Sequence, residues 1–427
     1  MAITKLKLSN FKSFKNVEID LNKFNVLIGS NASGKSNFTQ IFRFLKVMAE
    51  KDLEYAISNQ CGIKFLRNLN LGSSENFSLL ITSDKKFSFP KRNKDENSDI
   101  EYFEININET TYSLSLQFTD DDLGYRISEE NIMFNCDLHN IVEKEDDEEV
   151  LVTGDKVGEG SIKISNICGE IKTDIKISGI TIEADDIIPE PIIDMIEHVI
   201  KKKNIVPILN TPLAGIPVPW RSIFTDIAIF DFDPKSSKES TKFTSNASLD
   251  ENGRNLAIIL QQIKNNPEDY RKFSNLLQDL LPFIESLDVE SFFDSSTTFL
   301  LKEKYSNEKL PALHISDGTI NMMDLILAIY FEKEGFIILE EPERNIHPYL
   351  LSKAVQMMRE ASKNKQIIVT THNPEILKYA GDENIYFVSR DDEGYSTISK
   401  PSENEDLSSL LKEIGIDELY IENLLGE

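Results

Sequence analysis

The stretch "FNVLIGSNASGKS", Phe24 to Ser36, joins a continuous apolar segment to a glycine-rich loop. Residues Gly29 to Ser36 match the pattern G-x-x-x-x-G-K-[ST], and helical spacing begins directly afterwards in "NFTQIFRFLKVMAE". A strand that ends in such a loop before a helix lets backbone N–H groups and the positive helix end surround phosphate oxygens. A glycine-rich turn without a ligand is the alternative, and the strand, loop and helix order favours phosphate binding.

The residues of this loop have predicted roles in binding ATP and Mg²⁺. Lys35 is expected to reach the β and γ phosphates, and the hydroxyl of Ser36 is expected to bind Mg²⁺. The predicted nucleotide-binding residues of this segment are Gly29, Ser30, Asn31, Ala32, Ser33, Gly34, Lys35, Ser36 and Asn37.

A second apolar run ends in two adjacent carboxylates. In "GFIILEEPERNIHP", residues 335–348, the run Phe336 to Leu339 is followed by Glu340 and Glu341. One interpretation is a strand that finishes in a polar surface turn. The other is that the strand brings a metal ligand, Glu340, and a water-orienting base, Glu341, to one point, because phosphoryl transfer needs both a metal and a positioned water.

Two further segments place a polar turn beside an apolar element. In "LHISDGTINMM", Ser316 suits a helix N-cap and Gly318 lets the backbone come close to an anion; an ordinary capped helix is the alternative. In "KQIIVTTHNPEIL", a β-branched strand ends at His372. Such a histidine is often structural, but ligands of doubly wound sheets gather at the carboxyl ends of strands, which favours a catalytic role.

The composition is that of an acidic, globular protein. The chain has 427 residues, a formal net charge of −26 and a pI near 4.7. The field of the whole molecule therefore repels nucleic acid, and any DNA contact needs a local basic patch. Candidate patches, each of which also fits a solvated surface, are Lys5, Lys7, Lys12 and Lys15; Lys91, Arg92 and Lys94; and residues 201–203.

Neither a disulfide framework nor a membrane span is indicated. The cysteines Cys61, Cys136 and Cys168 form no C-x-x-C pair and are interpreted as reduced thiols. No apolar run approaches the roughly 20 residues needed to span a bilayer, and the N-terminus alternates where a signal peptide would be continuously apolar. These features predict a cytoplasmic protein without a membrane partner.

The pattern of predicted elements changes twice along the chain. Residues 1–136 are predicted to form an N-terminal lobe that contains the phosphate loop and leads into an antiparallel β-meander. Residues 137–215 are predicted to be an acidic, β-rich insertion and linker, with an exposed, mobile acidic loop at 143–149. Residues 216–427 are predicted to form a C-terminal lobe with a long helix over 268–287, followed by alternating strands and helices that indicate a parallel sheet.

In this order, the motifs resemble those of the ABC-type ATPase heads of the SMC, RecF and OLD-like group. The loop is similar to Walker A, Phe336 to Glu341 to Walker B, "ISDGT" to the signature motif and His372 to the switch histidine. The resemblance covers roughly residues 1–50 and 245–390. It implies an α/β P-loop NTPase of ABC/SMC-head type, with a mixed and parallel sheet core, an antiparallel β-meander and a helical insertion.

The resemblance also implies roles that the motifs alone do not give. In this group, the residues that match Lys12 and Ser13 of "LSNFKSF" lie near the nucleotide. Neither half-site hydrolyses ATP alone, because the signature residues of one subunit, here Ser316 and Gly318, close on ATP that another subunit holds. An ATP-dependent homodimer, or a higher even oligomer, is therefore expected.

Three positions depart from the usual pattern of the group. Asp317 stands where the signature usually has glycine, Glu340 where Walker B usually has aspartate, and His347 where many transporters have aspartate. Glu340 is one methylene longer than aspartate and is expected to reach the Mg²⁺ shell, directly or through water. Gln117 is a candidate Q-loop residue by its position alone.

Two functions from different classes remain open. In the first, a stand-alone ATPase head holds or releases a separate effector, a nuclease or toxin, in a bacterial antiviral defence system. In the second, a RecF-like DNA-repair clamp binds duplex DNA across the ATP dimer. The acidic balance and the β-rich insertion favour the first function. The intact motif residues argue against an inactive nucleotide-bound scaffold.

Overall fold

The described part of the chain forms three β-sheets together with helices. The computed structural model describes residues 2–92, 100, 102–119, 124–144, 147–180, 182, 187–188, 190–202, 207–210, 221–242, 248–291 and 296–401. Lys94, Lys203 and the 211–215 part of the predicted linker lie outside these residues.

The strands are numbered in chain order. Their bounds are β1 Ile3–Phe11, β2 Phe14–Asp20, β3 Phe24–Ile28, β4 Phe77–Ser83, β5 Phe87–Arg92, β6 Tyr102–Phe118, β7 Tyr125–Lys144, β8 Asp147–Ile167, β9 Glu170–Ser178, β10 Ile227–Phe230, β11 Thr241–Lys242, β12 Ile284–Ser291, β13 Ser296–Glu303, β14 Lys309–Pro311, β15 Phe336–Glu340, β16 Gln366–Thr371, β17 Ile385–Arg390 and β18 Ser396–Ser399.

The helices are short to medium in length, and none in the described part of the chain is long and apolar enough to cross a bilayer. The α-helices are Lys35–Glu50, Leu53–Asn59, Ile63–Leu66, Glu190–Lys202, Ser222–Thr225, Pro234–Ser237, Leu256–Asn265, Pro267–Leu280, Asp317–Tyr330, Pro348–Ala361 and Leu377–Ala380. Turns of 3₁₀-helix are Gly72–Ser74, Ile208–Asn210, Ala312–His314, Pro374–Ile376 and Asp382–Asn384.

The chain divides into two compact units. Within the described residues, the first is drawn from Met1–Leu21, Asn37–Asp226 and Arg390–Thr397, and the second from Asn22–Ser36, Ile227–Ser389 and Ile398–Glu427. The predicted lobe boundaries at 136 and 215 stay a prediction.

The first unit is built on an eight-stranded antiparallel sheet. Its order is β2-β1-β4-β6-β7-β8-β9, and β5 pairs with β6. Alternation decides which face is buried: every second residue of β4, from Phe77 to Ser83, is buried and the residues between are partly exposed. This is the pattern of an antiparallel sheet with one covered face, and it is the β-meander that the sequence predicts.

The second unit is built on a parallel sheet, as the alternation of strands and helices predicts. Five strands lie side by side in the order β10-β15-β16-β3-β17, and all are parallel. Every residue of β3 and β16 is buried, because parallel strands covered on both faces need no polar side. The helix Asp317–Tyr330 is buried from Thr319 to Ile329. A smaller antiparallel sheet, β11-β13-β12 with β14 beside β13, completes this unit.

Two predictions of local structure are wrong. The helix expected over 268–287 ends at Leu280, and β12 begins at Ile284, because Pro282 cannot continue the helical hydrogen bonds. The acidic loop expected at 143–149 is largely strand: Glu143 pairs with Leu151, and the backbone ladder of β7 and β8 continues to the pair of Lys144 with Asp147.

Candidate active site

The carboxyl ends of three adjacent parallel strands meet at one edge of the sheet in the second unit. β16 pairs with β3 through Thr371 and Ile28, and with β15 through Thr370 and Glu340. The N–H of Glu341 then donates to the carbonyl of Thr370 at 2.8 Å. The residues that follow these strands are therefore neighbours, which confirms the prediction that the histidine strand lies beside the phosphate-loop strand.

The shape of the phosphate loop depends on glycine. A Cβ on Gly29 would lie 2.1 Å from the carbonyl oxygen of Val388, so only glycine fits there. Ala32 and Gly34 have left-handed backbones, with φ of 65° and 126°. These turns give the loop its curvature. Of its residues, Ser30, Asn31, Ala32 and Ser36 are exposed, whereas Gly29, Ser33, Gly34 and Lys35 are buried.

Lys35 is folded back onto its own loop. The side chain is buried, and its ammonium donates to the carbonyl oxygens of Gly29 and Ser30 at 2.6 and 2.9 Å. Burial lowers the pKa of Lys35, and the negative charges of Glu341 and Glu343 partly offset this effect. Phosphate oxygens are stronger acceptors than neutral carbonyls. The geometry therefore suits a lysine that exchanges loop carbonyls for phosphate.

The carboxylate of Glu341 connects the predicted histidine to an arginine. Oε1 lies 3.0 Å from Nδ1 of His372, and Oε2 accepts from Nε of Arg344 at 2.9 Å. Arg344 also donates to Asp231 at 2.6 Å. Burial alone would raise the pKa of Glu341, but the hydrogen bonds and charges of Arg344 and His372 lower it overall. Glu341 is therefore held in the ionised form that can orient a water molecule.

A second carboxyl, that of Glu343, lies inside the protein. Its side chain is 7% exposed, and it accepts a hydrogen bond from the hydroxyl of Thr371. Its other oxygen, Oε2, has no hydrogen-bond partner among the described residues. Burial raises the pKa of Glu343. Together with Glu341, this carboxyl makes the surroundings of Lys35 negative.

The signature segment is held by contacts within its own chain. Ser316 caps the helix Asp317–Tyr330, and its Oγ accepts from the N–H of Thr319 at 3.2 Å. Asp317 accepts from Lys238 at 2.5 Å, which gives a local partner to a residue that stands where glycine is usual. A Cβ on Gly318 would lie 2.5 Å from the carbonyl oxygen of Asn345. The glycine is therefore needed for close packing against the turn after Glu341.

The remaining predicted residues belong to the first unit. Ser13 accepts from Nδ2 of Asn37 at 2.8 Å and from Oγ of Ser396 at 2.7 Å. Lys12 has a left-handed backbone with φ of 47°, and burial lowers its pKa. Gln117 lies in β6, where Oε1 accepts from Nε of Arg126 at 2.8 Å. Roles for these residues in binding nucleotide stay predictions.

The donors available for Mg²⁺ are of the right chemical kind. The hydroxyl of Ser36 and the carboxylate of Glu340 are oxygen donors, which Mg²⁺ prefers, and both follow or end strands at the same sheet edge. No group of three acidic, histidine or cysteine side chains that could hold a metal by itself occurs among the described residues. Two protein oxygens fit an ion that takes its other ligands from phosphate and water.

Motif reading missed Arg344, Asp231 and Lys238. Arg344 follows Glu341 by three residues, so a return contact across the turn could be suspected from spacing alone. Asp231 and Lys238 lie far from their partners along the chain, and only the fold brings Asp231 to Arg344 and Lys238 to Asp317.

The phosphate loop, the paired glutamates and the histidine gather at one edge of a parallel sheet, which is the arrangement of a P-loop ATPase. The family described as AAA ATPase domain (AAA_15) matches residues 1–377. The chain therefore belongs to this family of AAA-type ATPases.

Solved structures of SMC heads are similar in fold. The Smc head bound to the C-winged helix domain of ScpA is 16% identical, with 93% of this chain and 98% of that chain covered and a TM-score of 0.46. A Smc head with an extended coiled coil, bound to the C-terminal domain of ScpA and derived from Pyrococcus furiosus, is 15% identical, with 96% and 99% covered and a TM-score of 0.45. The SMC head domain from Thermotoga maritima is 13% identical, with 94% and 99% covered and a TM-score of 0.38. These likenesses concern the fold alone. No curated protein matches the chain.

Proposed function

We propose that this ATPase closes as a dimer around ATP and Mg²⁺, and that its cycle holds or releases a separate effector protein. The observation that carries the proposal is the Glu341–His372 pair, 3.0 Å apart, at the end of strands beside the phosphate loop. At this position the carboxylate can orient a water molecule for attack on a γ-phosphate, and the imidazole can contact that phosphate.

In the proposed mechanism, each side chain has one task. Lys35 and the N–H groups of the loop bind the phosphates, and Glu341 orients the attacking water. His372 contacts the γ-phosphate. Ser36 and Glu340 would hold Mg²⁺, which neutralises charge that develops on the phosphates when it is bound.

Exposed groups beside the signature segment support a dimer. Ser316 is exposed, and the apolar side chains of Leu313 and Tyr349 are 74% and 68% exposed. Leu313 precedes the signature helix, and Tyr349 follows the turn against which Gly318 packs. The proposal assigns these two apolar side chains to the surface that meets a second subunit. In the proposal, Ser316 and Gly318 reach the nucleotide of a second subunit.

The charge distribution favours a protein effector over DNA. The net charge is −26, and three of the four lysines of the first candidate patch are paired with carboxylates: Lys5 and Lys7 pair with Glu18 at 2.8 and 2.9 Å, and Lys15 pairs with Glu393 at 3.4 Å. We propose a nuclease or toxin as the effector, in a cytoplasmic antiviral defence system. A RecF-like clamp on duplex DNA is the alternative that the same ATP cycle could serve.

Replacing Glu341 by glutamine tests the proposal. Glu341→Gln keeps the shape of the site but cannot act as a base, so we expect ATP binding to persist while turnover falls by about 10² to 10⁴-fold. The closed complex should then accumulate. Calorimetry, phosphate release and light scattering with ATP would measure the three effects.

Glu375→Gln is the matched control, since Glu375 is a carboxylate of the same unit that pairs with Lys378 at 2.9 Å. It should leave all three measurements unchanged. A monomeric Glu341→Gln variant with full ATPase activity would contradict the proposal.

A further inference from the structure

Arg344 lies where three elements of the second unit meet. Its Nε donates to Oε2 of Glu341 at 2.9 Å, and its Nη1 donates to Oδ1 of Asp231, just after β10, at 2.6 Å. Its backbone carbonyl accepts from Nδ2 of Asn321, on the signature helix Asp317–Tyr330. A single residue therefore contacts the proposed base, the end of a neighbouring strand and the signature helix.

These contacts leave Glu341 tied on both sides. Oε1 faces His372 at 3.0 Å and Oε2 faces Arg344. A carboxylate orients water by accepting the hydrogen bond of that water, so an oxygen engaged by a guanidinium competes with the reaction. A charge-assisted hydrogen bond of this kind is among the stronger ones in proteins.

We propose that Arg344 is a positioning residue that restrains Glu341, and that the Arg344–Glu341 bond must open before ATP is hydrolysed. This inference rests on the proposed role of Glu341 as the base. Asp231 serves as the second anchor, because its carboxylate holds the guanidinium in place beside Glu341.

The signature helix is in a position to open this bond. Gly318 packs against the carbonyl of Asn345, and Asn321 bonds to the carbonyl of Arg344 itself. A displacement of the helix would therefore move the backbone that carries the guanidinium.

The second anchor is connected to the same helix. The segment 231–238 begins with Asp231 and ends with Lys238, which pairs with Asp317 of the signature. Ser237 of this segment also donates to the buried Asp324 of the helix at 2.7 Å. Engagement of the signature by a second subunit would thus act on Arg344 through both its backbone and its anchor.

Two substitutions test the restraint. Arg344→Ala removes the guanidinium, so kcat for ATP hydrolysis should rise about tenfold, the factor that corresponds to one charge-assisted hydrogen bond. KM for ATP should be unchanged, because Lys35 and the phosphate loop are untouched. Asp231→Asn weakens only the anchor and should raise kcat about threefold, since a neutral amide still accepts a hydrogen bond.

Arg359→Ala is the matched control. Arg359 is an exposed arginine of the same unit that donates to the carbonyl of Tyr379 at 3.0 Å, so its loss should leave kcat unchanged. Structural damage to the site would lower kcat. A rise in kcat at constant KM therefore indicates that a restraint has been released.

The outcomes distinguish this inference from the proposed function. If Glu341→Gln retains turnover, the proposed base is wrong. If Glu341→Gln is inactive but kcat of Arg344→Ala is unchanged or lower, the restraint is overturned. The double variant Arg344→Ala with Glu341→Gln should be as inactive as Glu341→Gln alone. If Arg344→Ala does not fold, kcat of Asp231→Asn tests the restraint instead: a rise supports it, and an unchanged or lower kcat overturns it.

Discussion

Glu341 has a backbone φ of 45°, in the left-handed region that residues with a Cβ rarely adopt. Such a conformation costs roughly 1–3 kcal/mol and persists where the surroundings hold it, often at functional sites. Here the N–H of Glu341 bonds to Thr370, and its side chain bonds to Arg344 and His372. The strain turns the chain sharply after β15 and aims the carboxylate along the sheet edge.

At the same scale, Lys35→Ala should weaken nucleotide binding. The ammonium is buried among carbonyls of its own loop, and phosphate would take the place of these carbonyls. Loss of hydrogen bonds to a charged group, at about 1.5–3 kcal/mol, predicts ATP affinity about ten- to hundredfold lower by calorimetry. Lys23→Ala, which removes an exposed lysine bonded to the carbonyl of Lys363, should bind ATP normally. Equal affinity of Lys35→Ala and the native chain would refute the role of Lys35.

Among the elements, β7 carries a buried carboxyl that holds a distant turn. Glu130 is fully buried and accepts from the N–H groups of Ile208 and Leu209 at 2.7 and 3.3 Å, and from the hydroxyl of Tyr112 at 3.0 Å. It thereby provides acceptors for the first two N–H groups of the 3₁₀ turn Ile208–Asn210. Burial raises the pKa of Glu130 to about 7, although these hydrogen bonds oppose the rise.

This raised pKa makes stability depend on pH. The folded state binds the proton of Glu130 more tightly than the unfolded state, so the contribution is complete below the unfolded value of 4.5 and is lost as pH rises through about 7. A pKa shift of this size changes the free energy of unfolding by about 3 kcal/mol. We therefore expect the melting temperature of the native chain, minus that of Glu130→Gln, to decrease as the pH is raised from 5 to 8. Other titrating groups, including Glu332, are common to both proteins and cancel in the difference. A constant gap in melting temperature would contradict the prediction.

For the whole molecule, charge bears on the choice of partner. A chain of net charge −26 repels duplex DNA at long range, and the lysines of β1 are already paired with Glu18. A protein effector does not require the DNA-binding charge that a clamp needs.

Filter binding with duplex DNA tests the alternative at this scale. At about 0.15 M salt, where surface charges are screened beyond roughly 8 Å, we expect no ATP-dependent retention of DNA. Glu18→Gln removes the carboxylate that Lys5 and Lys7 share and serves as the control, because a real clamp would then bind more tightly. ATP-dependent retention by the native chain that weakens as salt is added would instead support the DNA clamp.

Contacts that follow from local sequence patterns can be predicted from the sequence, whereas contacts between distant segments depend on the fold. The apolar strands before Gly29 and His372 predict a parallel sheet, and the carboxyl ends of parallel strands lie at the same edge of the sheet. The contact of Arg344 with Asp231 spans 113 residues, and no local pattern signals it. Pro282 signals the end of the helix in the sequence itself, because proline cannot continue the helical hydrogen bonds. The ion pair of Asp317 with Lys238 is likewise not predictable, because Lys238 belongs to a separate element.

Both outer strands of the eight-stranded sheet in the first unit present charge to water. On β9, Lys172, Asp174 and Lys176 are exposed, and on β2 Glu18 and Asp20 are exposed. Charged side chains on edge strands hinder pairing with the edge of another sheet, which is a common route to aggregation. Concentrated solutions of this ATPase should therefore resist edge-to-edge assembly through these two strands.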